Sequence, residues 1–202
     1  MKKWILYLLI LSFFSCHKSE KVVGIQPYEN APQAEIDTLQ KILTQLYGYK
    51  VVVLPRIHHN PTTFVNIKSP RYRADKIIAE QKAQKPDSID YILGYTSKDI
   101  STSKKENGQI KSPKSKYEDW GVMGLAYVGG KSCVVSSFRL QHKDSKKYFS
   151  RIKKVTVHEL GHNLGLGHCP NKKCVMTDAV ESISTIDNAQ LNLCDACRIK
   201  LN

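Results

Sequence analysis

A chain of 202 residues, 41% hydrophobic and 24% charged, is long enough to bury one sizeable core, and that balance excludes an intrinsically disordered polymer. Its formal net charge of +13 concentrates in two stretches, 98–116 and 139–154. Residues 98–116 contain no aromatic on which a base could stack, so the charge reads as a solvated basic face, with an anionic membrane surface or acidic peptides as the alternative partners and no nucleic acid expected.

The amino terminus opens with Lys2 and Lys3 before an apolar run from Trp4 to Phe14. Such a run is too short to span a bilayer, which needs about 20 residues, and it has the layout of a secretory signal. It ends in Phe13-Phe14-Ser15-Cys16, which resembles a bacterial lipobox, although Phe13 stands where a branched aliphatic is usual. The expected organisation is a signal peptide over 1–15, a lipid-anchored tether over 16–30 beginning at lipidated Cys16, and one domain over 31–202. Ordinary signal cleavage nearby and an uncleaved anchor are the alternatives. The protein is then exported and faces the periplasm or the cell surface.

Ile36, Leu39, Leu43 and Leu46 recur at helical spacing from Pro32 to Tyr47, and Gly48 is a natural stop. Tyr49 to Leu54 is a β-branched run that predicts a strand buried on both faces. Helical period returns over Arg71 to Gln84, and Ile89 to Thr96 is a further apolar strand, so the alternation predicts a mostly parallel sheet. Residues 97–119 read as a long surface loop. Trp120 to Val128 and Lys131 to Leu140 flank Gly129-Gly130, a hairpin signal. Asp144 or Ser145 can cap a helix that turns Phe149, Ile152, Val155 and Leu160 inward and ends at Gly165, and a last helix is expected over roughly 187–201.

Residues 158–168, HELGHNLGLGH, carry the chemistry. His158 and His162 are four apart, so on a helix both imidazoles leave one face. Gly165 breaks the helix and lets the returning chain offer His168. Three neutral nitrogens leave a tetrahedral zinc one open position for water, the mark of a catalytic site. Glu159, too close to His158 to share the ion, is placed to take a proton from that water.

The run resembles the metzincin motif H-E-x-x-H-x-x-G-x-x-H. Cys169, Cys174 and Met176, followed by Cys194 and Cys197, extend it to the signature of the archaemetzincin family of zinc metallopeptidases. The signature spans 158–197, about a fifth of the chain. The resemblance implies an α/β (α+β) metzincin-like zincin: a mixed, mostly parallel sheet with an antiparallel edge hairpin, an active-site helix, a methionine turn and a C-terminal helix. It implies two zinc ions, a catalytic one on His158, His162 and His168 and a structural one on Cys169, Cys174, Cys194 and Cys197. Met176 is expected beneath the catalytic metal, and an edge strand within 131–138 is expected to pair with substrate. Thr177 and Asp178 stand where some metzincins carry a tyrosine.

Several readings stay open at this level. Two disulfides compete with the structural zinc, because an exported protein meets an oxidising compartment. Amino- and endopeptidase activities are both compatible, with Glu118 and Asp119 as candidates to hold a substrate amine. The alternative function is a catalytically inactive, zinc-stabilised lipoprotein that binds peptide or polymer. Cys133 reads as a core thiol, His58-His59 as a pair whose side chains diverge, and His142 as a minor candidate for the cleft wall. A peptide or protein substrate and a monomeric state are expected.

Overall fold

The computed structural model describes residues 20–178 and 182–201. The expected lipidation site Cys16 and the expected signal peptide lie outside them.

The first strand, β1 (Val22–Pro27), is central rather than part of a tether. It pairs in parallel with β2 (Lys50–Val53) on one side and with β5 (Tyr91–Thr96) on the other. The expected boundary at residue 31 is therefore corrected: the fold begins by Val22. Val23 and Ile25 are fully buried, and the Val22-Val23-Gly24-Ile25 run is the local signal for that strand.

Between β1 and β2 runs α1 (Gln33–Tyr47), which buries Ile36, Leu39, Ile42 and Leu43. Gly48 ends it at φ 67°, and its N–H donates to Thr44 O at 3.0 Å. β2 is an edge strand with only Val51 buried, not the doubly covered strand its β-branched sequence suggests. β3 (Phe64–Asn66) and β4 (Pro70–Arg73) form a hairpin, so α2 (Ala74–Gln84) starts later than its apolar period implies.

The segment 97–119 is not a bare loop. It contains β6 (Ile100–Thr102), the small hairpin of β7 (Lys105–Glu106) with β8 (Gln109–Ile110), and the single turn α3 (Lys114–Tyr117). β9 (Trp120–Val122) then joins β3, β4 and β6 in a second sheet of order β3-β4-β6-β9.

β10 (Gly124–Ala126) and β11 (Ser132–Ser136) complete the main sheet, whose order is β10-β11-β5-β1-β2. All its pairings are parallel except β10 with β11. The last pair in that hairpin is Ala126 with Cys133, so the connection is longer than the two glycines imply. Period-two alternation sorts β11 between two layers: Cys133 and Val135 face the core of α1 and α4 (Ser145–Asn163), and Val134 faces α2. Asp144 caps α4 by accepting from Lys146 N at 2.8 Å.

The chain ends in two short helices, α5 (Ile183–Asn188) and α6 (Asp195–Ile199), instead of one over 187–201. No helix among the described residues is long and apolar enough to cross a membrane.

Candidate metal centres and cleft

Two groups of ligand-type side chains converge among the described residues, and the sequence had set both apart. His158 and His162 lie one turn apart on α4, with Nε2 to Nε2 at 3.0 Å. Two nitrogens on a tetrahedral zinc stand ~3.3 Å apart, so the pair is spaced for one ion. Both Nδ1 atoms are engaged elsewhere: His158 Nδ1–H donates to Val175 O at 2.8 Å and His162 Nδ1–H to Leu166 O at 2.7 Å. Those bonds set the tautomers that leave the Nε2 lone pairs facing inward.

Gly165 at φ 97° turns the chain back after α4. His168 returns on that turn, and one nitrogen from each of the three rings falls within 4.8 Å of the others. Asp178 Oδ2 lies 3.6 Å behind His168 Nδ1. Burial, reinforced by its neighbour His162, holds the His158 pKa down at about 4, and burial also lowers that of His162. Both rings are therefore neutral near pH 7, as metal ligation demands.

Met176 is fully buried against Gly161. A Cβ at Gly161 would stand 2.5 Å from Met176 Sδ, so the buried methionine would have to shift to admit a side chain there. The methionine turn is pinned on both sides. Cys169 N donates to Met176 O at 2.8 Å, and the preceding Val175 carbonyl orients His158.

Glu159 points toward β10. It is 8% exposed, and burial pushes its carboxyl pKa up to about 8; a dication at the three nitrogens acts in the opposite sense. A Cβ at Gly124 would lie 2.6 Å from Glu159 Cγ and Oε1. Only glycine leaves room there for the carboxyl between helix and strand. The sequence reading missed Gly124, because its requirement comes from a residue 35 positions away.

A cleft of about 540 Å³ opens over these groups. One wall is β9 with β10, the other combines α4 and α5, and Val175 and His168 close it near the histidines. The expected rim strand is corrected here. Residues 132–136 lie inside the sheet, hydrogen-bonded to β5 and β10, and have no free edge. The free edge belongs to β10, over 124–126, because the first arm of the hairpin is the outer one.

Glu118 and Asp119 do not line the cleft. Asp119 is 1% exposed and accepts from Arg71, while Glu118 pairs with Lys114, so neither holds a substrate amine. His142 also stays outside, its Nδ1 accepting from Asp144 N. His58 and His59 diverge as expected: the His58 side chain is exposed, and His59 stacks between Tyr28 and Tyr72 at 4.1 and 4.0 Å. Cys133 is a fully buried thiol.

The second group is Cys169, Cys174, Cys194 and Cys197. Cys169 and Cys194 Sγ stand 3.6 Å apart, and Cys174 and Cys197 Sγ stand 3.8 Å apart. A disulfide requires about 2.05 Å, whereas two thiolates on a tetrahedral zinc stand ~3.8 Å apart. The four sulfurs thus have the spacing of a zinc cage and not of two bridges. Cys194 caps α6 and carries Cys197 one turn on, so α6 is clipped to the loop that carries Met176.

The model of peptidase family M54 matches residues 46–202. An archaemetzincin of Halobacterium salinarum is 30% identical over 87% of this chain and 96% of its own length. The crystal structure of archaemetzincin from Archaeoglobus fulgidus superposes with a TM-score of 0.70 at 30% identity, covering 89% of this chain and 99% of that one. The structure from Methanopyrus kandleri gives 0.73 at 25% identity, covering 92% and 95%. With the histidine triad, the four-cysteine cluster and these likenesses together, the chain belongs to peptidase family M54, the archaemetzincins.

Proposed function

We propose that this metallopeptidase hydrolyses peptide bonds with Glu159 as general base, zinc being held by His158, His162 and His168. The observation that carries the reading is the Glu159 carboxyl buried on the same cleft onto which three imidazole nitrogens converge. When bound, zinc supplies Lewis acidity, lowering the pKa of a coordinated water to about 7 and polarising the scissile carbonyl.

The chain's own residues do the rest. The free edge of β10 offers backbone groups to an extended peptide, which grips main chain without demanding particular side chains. Glu159 takes the proton of the attacking water and returns it to the departing amine. Its burial keeps bulk water from competing for that proton and raises its basicity toward neutral pH. The Val175 and Leu166 carbonyls keep the two helical imidazoles in the ligating tautomer throughout.

A second zinc on the four cysteines would hold the Met176 turn in place, giving two ions per chain. Lipidation at Cys16 would leave residues 17–21 as a short tether before β1. Palmitate labelling lost in Cys16→Ala tests the anchor.

The test of the reaction is a digest of a terminal-labelled peptide library by zinc-loaded protein. Wild type cleaves and Glu159→Gln does not, with zinc content unchanged. Binding of peptide without cleavage by either protein would instead support a peptide- or polymer-binding role.

A further inference from the structure

Among the described residues, the wall of the cleft beyond His158 is mostly apolar and carries one charge. Val155 from α4 and Ile183 and Ile186 from α5 line it, and Lys154 stands among them. Lys154 precedes His158 by four residues, so it lies one turn away on the same helical face. A side chain entering this wall therefore meets Lys154 immediately beside the metal ligands.

The ammonium is held in place by two carbonyls and, among the described residues, forms no ion pair of its own. Its Nζ donates to the carbonyls of Ile186 at 2.9 Å and Asp187 at 3.2 Å, in the last turn of α5. An ammonium has three donors, so one remains. Among the described residues the nearby carboxylate is Asp187, and other cations already occupy it. Arg151 grips both oxygens, at 2.7 and 2.8 Å, and Lys147 Nζ lies 3.1 Å from Oδ2. Three cations thus share one anion, and the only one that lines the cleft is Lys154. Partial burial lowers its pKa, the sign of an ammonium short of solvation that an incoming carboxylate would restore.

Resting on the peptidase reading above, we propose that Lys154 is a specificity residue that selects substrates with a carboxylate on the residue entering the wall between α4 and α5. A preset donor in an apolar wall favours that group for two reasons. Its side-chain entropy is already spent on the two carbonyls, and a charge-assisted bond is strongest where water is scarce. Capping the end of α5 would by itself fix Lys154 without any substrate preference, so the test must read preference and not stability alone.

The probe is a set of fluorescent peptides identical except for one position, carried as Asp, Asn, Glu, Gln or Lys and scanned along the sequence. Cleavage by zinc-loaded wild type is measured together with binding to the Glu159→Gln protein by anisotropy. The expected result is about tenfold tighter binding and faster cleavage for Asp and Glu over Asn and Gln at one position. Lys154→Met abolishes that preference while neutral peptides bind as before, and Lys154→Arg retains it. If Lys154→Met weakens the fold, the Lys154→Arg comparison and wild-type selectivity still decide. Equal cleavage of acidic and neutral peptides by wild type, with equal affinity of the Glu159→Gln protein for both, overturns the proposal, as does an acidic preference that survives Lys154→Met. Selective binding without cleavage by wild type would sink the peptidase reading and leave Lys154 standing.

Discussion

The two ligand clusters share one loop and differ in everything that decides their roles. The cysteine cluster offers four soft ligands, two of them, Cys174 and Cys197, almost fully buried, so an ion there has no position left for substrate. The histidine cluster offers three, and the His168 side chain remains 41% exposed at the edge of a cleft. Cys169 and Cys174 flank the same loop that brings His168 and the Val175 carbonyl to the histidine site. On the proposed reading, the closed cluster would fix the geometry that the open one uses. The comparison teaches that two clusters able to hold metal differ by ligand count and exposure, not by distance along the chain.

The largest expected break is at the open site. Glu159→Gln should cut turnover by about 10⁴-fold with both metal stoichiometry and thermal stability intact, measured by peptide cleavage and elemental analysis. Undiminished cleavage would remove Glu159 from the mechanism.

At the closed site, Cys197→Ser should lower zinc from about two to about one per chain and depress the melting temperature. Activity should fall with it, because the Val175 carbonyl loses its anchor. A metal titration with a chelator sharpens the contrast: activity should disappear at concentrations that leave the fold intact, since the histidine site is the exposed one. Simultaneous loss of fold and activity would show that the two sites are not separable.

Between them stands Gly124. Gly124→Ala places a methyl 2.6 Å from the Glu159 carboxyl, so kcat should fall by about tenfold to a hundredfold with metal retained. An unchanged kcat would mean that Glu159 has other room to work.

A smaller effect is expected far from both sites. Burial depresses the His59 pKa to about 4, against the opposing Glu29 carboxylate and with help from Lys98. The folded state thus prefers the neutral ring. Its contribution is complete above the ordinary value of 6.5 and is lost as pH falls toward 4, where the unfolded chain binds the extra proton. Urea midpoints should decline over that window in wild type and decline less in His59→Phe, which keeps the stack between Tyr28 and Tyr72. Smallest of all, Glu118→Gln should leave cleavage kinetics within about twofold, because a surface carboxylate paired with Lys114 is worth little.

Local rules made much of this legible. The spacing of His158, His162 and His168, the cysteine pairs and Met176 are all read along the chain, because a helix, a glycine turn and a short loop map sequence distance onto space. α1 with its glycine stop and α4 with its aspartate cap follow the same logic. The central position of Val22–Pro27 was not legible, since a strand does not announce how many neighbours it will have. The rim strand failed for the same reason: both arms of the hairpin have strand character, and only packing against β5 made 132–136 the inner one.

By itself the sequence determined which side chains can hold metal and which carboxylate stands beside them, because those relations span at most a few turns of chain. Tertiary structure decided which strand edge is free, why position 124 must lack a side chain, and which charge faces the cleft beside His158. Those facts depend on contacts between residues tens of positions apart, which no periodicity records.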